Sequence, residues 1–231
     1  MSRIAVIVPV LNRPQNAQPL VDSFIASKAD ARMLFVISAS DHAELEAVRT
    51  TGADYTLADW DPGHADFAMK VNLGYRLTTE PFVFQGADDI EFTSGWDTAA
   101  LAAVESGDFG VCGTNDDANP TVRAGQHSTH SLFRRSYIDE RGSSADGPGI
   151  VFSEAYSHQF CDNEVVEISK QRGCWVFARD SLVRHRHPIW RTAEDDQTYI
   201  KGQEHGQADR QLFEQRRRMW IRERVECGDA R

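Results

Sequence analysis

The 231-residue chain has only four cysteines, Cys112, Cys161, Cys174 and Cys227, and no two of them form a CxxC pair. Neither a disulfide framework nor a cysteine zinc site is therefore expected, and the thiols read as reduced. No apolar run approaches the roughly 20 residues that span a bilayer. The opening stretch, MSRIAVIVPVLN, enters a strand without the cleavage pattern of a signal peptide, so the expectation is a soluble, cytoplasmic protein with no membrane partner. Positive charge is short as well: 25 Lys and Arg against 35 Asp and Glu leave a net charge of -10, which disfavours nonspecific binding to phosphate backbones. GxGxxG and GxxxxGK are both missing, which argues against a dinucleotide-binding Rossmann domain and a P-loop. No internal repeat or low-complexity segment is present.

What the chain does have is core material, 41% hydrophobic residues with five Trp and twelve Phe, enough for one domain with an appended tail. Residues 3–10, RIAVIVPV, form a nearly continuous β-branched run, the pattern of a central strand covered on both faces. Pro14 then suits a helix start, with Ala17, Leu20 and Phe24 as its apolar stripe. MLFVIS at 33–38 repeats the strand signal, Ser40-Asp41 caps the helix DHAELEAVRTT, and Gly52 stops it. This alternation predicts an α/β fold with a mainly parallel central sheet flanked by helices and right-handed crossovers.

The pivotal stretch is residues 80–92, EPFVFQGADDIEF. A short apolar strand, Phe82 to Phe84, breaks at Gly86 into the adjacent acids Asp88 and Asp89. In open α/β sheets ligands bind outside the carboxyl ends of strands, and two acids there need a cation to offset their repulsion. A divalent metal with a diphosphate ligand is the simplest expectation, since hard oxygen donors suit magnesium or manganese. A plain surface turn is the competing reading.

Further along, a helix is expected from Thr93 or Ser94 to Val104, and a strand at 109–112. A turn-rich, mobile loop should cover 115–126, another strand 127–135, and a linker 143–149. CDNEVVEISKQRG at 161–173 reads as a capped helix with Asp162 and Glu164 at its mouth. Two short strands follow at 175–178 and 181–184. The tail from Ala193 is polar and helical, and Phe213, Trp220 and Ile221 share one face that could dock on the domain or on a second copy in a homodimer. Six arginines lie between 210 and 224, but interleaved acids make a solvated amphipathic helix the expectation there, not a nucleic-acid surface.

Taken in order, IVPVLNRP, FQGADDIEF followed by Trp96, CDNEVVEISKQRG and VRHRHPIW resemble family 2 glycosyltransferases over about residues 1–190. The resemblance implies a GT-A fold, a helical C-terminal extension over 191–231, and a nucleotide-sugar donor, a UDP- or GDP-sugar. It implies that the first strand and its loop, Pro9, Val10, Asn12 and Arg13, hold the nucleotide, with Asp41 near the base. Lys70, Asn72, Ala87 and Asp88 complete the implied donor set. Manganese or magnesium would be held by Asp88 and Asp89, with one of His185 and His187, His185 being favoured, as a late ligand. The family's Asp-x-Asp has lost its first acid here, where Gly86 stands. Asp162, with Glu164 as the competing choice, is implied as the base in an inverting transfer. His127 and His130 are further candidates for acceptor contact. The acceptor stays open, with a protein or a modified nucleic-acid base in a phage-type member among the choices. A noncatalytic nucleotide-binding module and a nucleotidyltransferase are the competing functions, although LNRPQN lacks the glycine-rich, lysine-bearing loop of the latter.

Overall fold

The structure, a computed structural model, describes residues 2–194 and 197–228. In chain order the elements are β1 (Ile4–Val10), α1 (Ala17–Ser27), β2 (Ala31–Ser38), α2 (His42–Thr51), β3 (Asp54–Ala58), α3 (Asp66–Leu77), β4 (Phe82–Gln85), β5 (Ile90–Phe92) and α4 (Trp96–Glu105). They continue as β6 (Val111–Asn115), α5 (Pro120–Arg123), β7 (Ser131–Arg134), α6 (Arg135–Arg141), α7 (Cys161–Gln171), β8 (Trp175–His185), α8 (Gln197–Glu204) and α9 (Gly206–Gly228).

The sheet runs β3-β2-β1-β4-β7-β6-β8-β5. The first four strands are mutually parallel, as their βα alternation predicts, and β6 is parallel to β8. Two strands break the pattern: β7 lies antiparallel between β4 and β6, and β5 antiparallel against β8, so the sheet is mixed. Because β7 inverts the direction once on each side, β1, β4 and β6 all point the same way. Their carboxyl ends therefore open on one edge, and that edge carries the site.

Every residue of β1 is buried, which accounts for its unbroken apolar run. On one face Leu20, Val21, Trp96, Ala100 and Val104 cover Phe84 and Phe92; on the other Val71, Tyr75, Ile138, Val165 and Ile168 cover Ile7, Val83 and Phe133. Asp41 caps α2 by accepting the Glu44 N–H at 3.1 Å, and Gly52 ends it at φ 74°.

Several local expectations are revised. Gly95, at φ 79°, precedes α4 where Thr93 or Ser94 was expected to cap it. The loop after β6 contains α5, whose cap Asn119 accepts from Thr121 and Val122, so it is a folded turn and not a loose loop. His127 and His130 precede β7 instead of lying within the strand expected over 127–135. Residues 143–149 are no linker: Ser143 and Ser144 are buried, and the Ser143 hydroxyl donates to the Val151 carbonyl at 2.6 Å. The two late strands are one, β8, with an irregularity opposite Thr114 and Asn115.

The tail's apolar face docks on its own domain, where Phe213 meets Phe160 with ring centres 5.5 Å apart and Trp220 is 2% exposed. The Ile221 side chain lies outside the described residues. Among the described residues no helix is long and apolar enough to cross a membrane.

Candidate active site

At the carboxyl end of β4 the chain turns sharply against β1. The Gly86 N–H donates to the Ile7 carbonyl at 2.8 Å, and a Cβ on Gly86 would stand 3.2 Å from that oxygen and 3.2 Å from Val8 Cγ2. The close approach of the two backbones explains why glycine occupies this position. Asp88 and Asp89 follow, and the cation between them is Arg13, delivered by the loop after β1. One guanidinium nitrogen donates to Asp88 Oδ1 at 3.2 Å and to Asp89 Oδ2 at 3.0 Å. All three side chains are at most 10% exposed.

Asn12, at φ 58°, turns the chain in the left-handed region that asparagine tolerates, and its N–H donates to Asp41 Oδ2 at 2.7 Å. The Arg13 N–H donates to Glu44 Oε2 at 2.8 Å, so α2 holds the loop at two points. The side chain of Tyr199 on α8 lies under the Arg13 guanidinium, 4.0 Å from its ring centre, and its hydroxyl donates to Asp89 Oδ2 at 2.7 Å.

Burial and the neighbouring Asp89 charge push the Asp88 carboxyl up, against the opposing pull of Arg13. Burial also works to raise Asp89, but the charge and hydrogen bond of His185 and the charge of Arg13 outweigh it and hold Asp89 low. The two carboxyls are thus driven in opposite directions, as expected for adjacent carboxylates whose titrations are coupled. His185 Nε2 stands 3.4 Å from Asp89 Oδ1. Burial pulls the His185 imidazole down, and Asp89 more than reverses that. The His185 ring touches His130 at 5.0 Å and His187 at 5.1 Å between centres. His187 leaves β8, accepts the Ile189 N–H at Nδ1 and packs on Tyr199. Burial pushes His130 down to about 3, so it is neutral at ordinary pH.

The second half of the site is the start of α7. Phe160 enters it at φ 69°, a conformation rare for a bulky residue, under the packing of Phe213. Just before it, the buried Asp209 of α9 accepts three successive backbone N–H groups, Ser157 at 2.8 Å, His158 at 2.9 Å and Gln159 at 2.8 Å. The C-terminal helix therefore shapes the loop that delivers Asp162.

Asp162 is 26% exposed and its Oδ2 lies 3.2 Å from His127 Nε2. Glu164 sits on the other side of the helix, as the spacing of about 200° requires. It is fully buried, and it accepts from Ala145 N–H, the Tyr156 hydroxyl and both Arg216 donors at 2.6 to 2.9 Å. Its acceptor positions face α9 and not the crevice.

Three of the residues expected to touch donor are structural clamps. Lys70 is fully buried, with its ammonium donating to the Val10 carbonyl at 2.8 Å and 2.7 Å from Asp66. The Asn72 amide donates to the Phe152 carbonyl and accepts from Val151 and Phe152, fastening the loop ahead of α7. Asp41 holds the Asn12 turn. Pro9 and Val10 are buried in β1, and Ala87 is half-buried beside Asp88.

No family model and no curated protein sequence matches this chain. Solved structures do. A mannosyltransferase from Pyrobaculum calidifontis, in complex with GDP-Man and Mn2+, superposes with a TM-score of 0.62 at 15% identity, covering 79% of this chain and 56% of that one. S. aureus TarS 1-349 in complex with UDP gives 0.62 at 13% identity, over 79% and 59%. Glucosyl-3-phosphoglycerate synthase from Mycobacterium tuberculosis, with Mn2+, UDP and phosphoglyceric acid, gives 0.56 at 11%, over 80% and 71%. The fold is that of the GT-A glycosyltransferases. At these identities the likeness is one of architecture, and this chain spans little more than half the length of two of the three.

A divalent cation suits the donor chemistry of the GT-A edge. Asp88 and Asp89 are hard carboxylates, and the imidazole of His185 stands beside them with Nε2 3.4 Å from Asp89 Oδ1. Arg13 already stands as a cation between the acids. Among the described residues no three His, Cys, Asp or Glu side chains converge as a ready-made metal group, so a metal entering here has to displace the guanidinium. Sequence reasoning missed Tyr199, Asp116 and Asp209. Asp116, which accepts the His185 N–H at 3.4 Å, lies within a turn-rich run, and Tyr199 and Asp209 lie in a polar tail; none carries a local signal.

Proposed function

We propose that the protein transfers a sugar from a nucleotide-sugar to an acceptor hydroxyl with inversion, as a member of glycosyltransferase family 2. The observation that carries this reading is the convergence, on one edge of a GT-A sheet, of the acidic turn Asp88–Asp89 and the half-buried carboxylate of Asp162. Three histidines lie between them: His185 beside Asp89, His130 against His185, and His127 on Asp162.

In the proposed reaction the loop after β1 and the acidic turn bind the nucleoside diphosphate. Arg13, drawn away from the acids, meets phosphate oxygens with its fork of donors. Asp162 accepts the proton of the acceptor hydroxyl as its oxygen forms the new bond to the anomeric carbon. The bond from that carbon to the diphosphate oxygen breaks, and the electron pair leaves with the diphosphate. A divalent cation held by Asp88, Asp89 and His185, with His187 beside them, would supply neutralisation of the diphosphate charge. Glu164 keeps α7 fixed to α9.

The test is a thermal-shift and turnover screen of UDP-, GDP-, dTDP- and CMP-sugars with and without manganese. Stabilisation by one nucleotide class together with sugar release supports the reading. Stabilisation without release under any acceptor would make the protein a nucleotide-binding module, and release of pyrophosphate from a nucleoside triphosphate and sugar phosphate would make it a nucleotidyltransferase.

A further inference from the structure

We propose that His127 is a positioning residue for Asp162: it holds the carboxylate in one rotamer, facing the crevice, ready for proton abstraction. This inference rests on the proposed transfer reaction. The contact is a single hydrogen bond, His127 Nε2 to Asp162 Oδ2 at 3.2 Å, between side chains 16% and 26% exposed. The other carboxylate oxygen accepts the Asn163 N–H at 2.8 Å. Both oxygens are thereby anchored, while each keeps a lone pair for a substrate hydroxyl. An aspartate with two rotatable bonds and an open flank would otherwise sample several rotamers, at a cost to the near-attack geometry.

His127 is itself fixed. Gly125, at φ 70°, packs on Phe177 just before it. The Lys170 ammonium donates to the Gln126 carbonyl, and the Ser128 hydroxyl donates to the His130 carbonyl at 3.1 Å. The segment is thus tied to the far end of the helix that carries Asp162. Such a frame suits a residue that orients another, as second-contact partners of catalytic groups do.

The electrostatics point the same way. Burial works to raise the Asp162 carboxyl, and the hydrogen bond and charge of His127 with the Asn163 N–H more than reverse it. The other titratable groups facing the pair are His158 and Cys161 from the loop and first turn of α7, and His185 from β8. His130 stays neutral, with its imidazole pushed down to about 3 by burial, so His127 is the donor that makes contact.

The test begins without substrate. The His127 ring is followed by NMR in the wild type and in Asp162→Asn, with His127→Gln assigning the signal. Loss of the carboxylate should move the His127 Nε2 resonance and speed exchange of its ring proton with water, because the hydrogen bond to Asp162 Oδ2 is gone. In the transfer assay His127→Ala should cut kcat by about 10- to 100-fold and move the acidic limb of the kcat/KM profile to higher pH. It should leave the donor Kd unchanged, and His127→Gln, which keeps an N–H donor, should recover most of the rate. An unmoved Nε2 resonance with unchanged proton exchange in Asp162→Asn overturns the inference, as does a His127→Ala enzyme with wild-type kcat and an unmoved acidic limb. A wild-type protein that transfers no sugar strikes instead at the proposed reaction; the ring resonance still decides the pairing.

Discussion

Replacing Asp209 by alanine tests whether the C-terminal helix is part of the site or an ornament on it. The carboxylate accepts three backbone N–H groups in a row and is 2% exposed, so the substitution strands three donors beneath α9. Hydrogen bonds to a charged group contribute about 1.5–3 kcal/mol each, and relaxation of the loop toward water recovers part of the total, leaving about 3–6 kcal/mol of lost stability. For a chain of this size that corresponds to a fall in Tm of roughly 6–20 °C. Asparagine at this position should be little better, because its amide turns a second donor toward three donors. Calorimetry reads the Tm, and hydrogen exchange reads the amides of Ser157, His158 and Gln159, which should lose protection before the core does. An Asp209→Ala protein that melts within about 2 °C of wild type, with those amides still protected, would refute the argument that α9 organises the approach to α7.

Asp162→Asn should keep nucleotide-sugar affinity and lower turnover by about 10² to 10⁴-fold, measured with a true acceptor; undiminished turnover would move the base elsewhere. Asp88→Ala should abolish manganese-dependent donor binding without lowering Tm, since it removes one acid from a mutually repelling pair; isothermal titration with and without a chelator reads the first outcome and scanning calorimetry the second. Cys112, whose thiol burial pushes up to about 12, should resist alkylation at pH 8 until the chain unfolds. The same shift makes the folded chain retain a proton that the unfolded chain releases above its ordinary thiol value of 9.0. Stability from this group is therefore complete below pH 9 and declines between pH 9 and 12, which urea titrations across that range can follow. Arg216→Met should loosen α9 from α7, because it leaves the buried Glu164 without its ionic partner, at a cost of about 3–5 kcal/mol.

Much of the architecture was legible because it rests on local signals. The unbroken apolar run of β1, the Asp41 cap and the Gly52 stop each mark an element that the structure places within a residue or two. The first loop and the acidic turn meet because β1 and β4 are neighbours, a pairing whose parallel direction follows from the βα alternation but whose choice of partner does not. What was not legible is nonlocal. Nothing in residues 127–135 shows that only four of them pair as a strand, since β7 is defined by the two partners that flank it. Lys70 and Asn72 look like ligand residues in sequence, yet the carbonyls they clamp lie 60 and 80 positions away. Arg13 as the counter-cation of Asp88 and Asp89 was hidden for the same reason, at separations of 75 and 76.

The tight seat of Gly86 has a consequence for how this turn can change. An aspartate placed there alone would put its Cβ 3.2 Å from the Ile7 carbonyl oxygen, 3.2 Å from Val8 Cγ2 and 3.3 Å from Val6 Cγ1, so restoring the first acid requires these neighbours to give way slightly. A smaller residue at Val8 relieves one of those contacts and lowers the cost of the substitution at 86. The two positions are therefore linked in mutational order. A library that varies one position at a time should recover acids at Gly86 less often than one that pairs it with Val8.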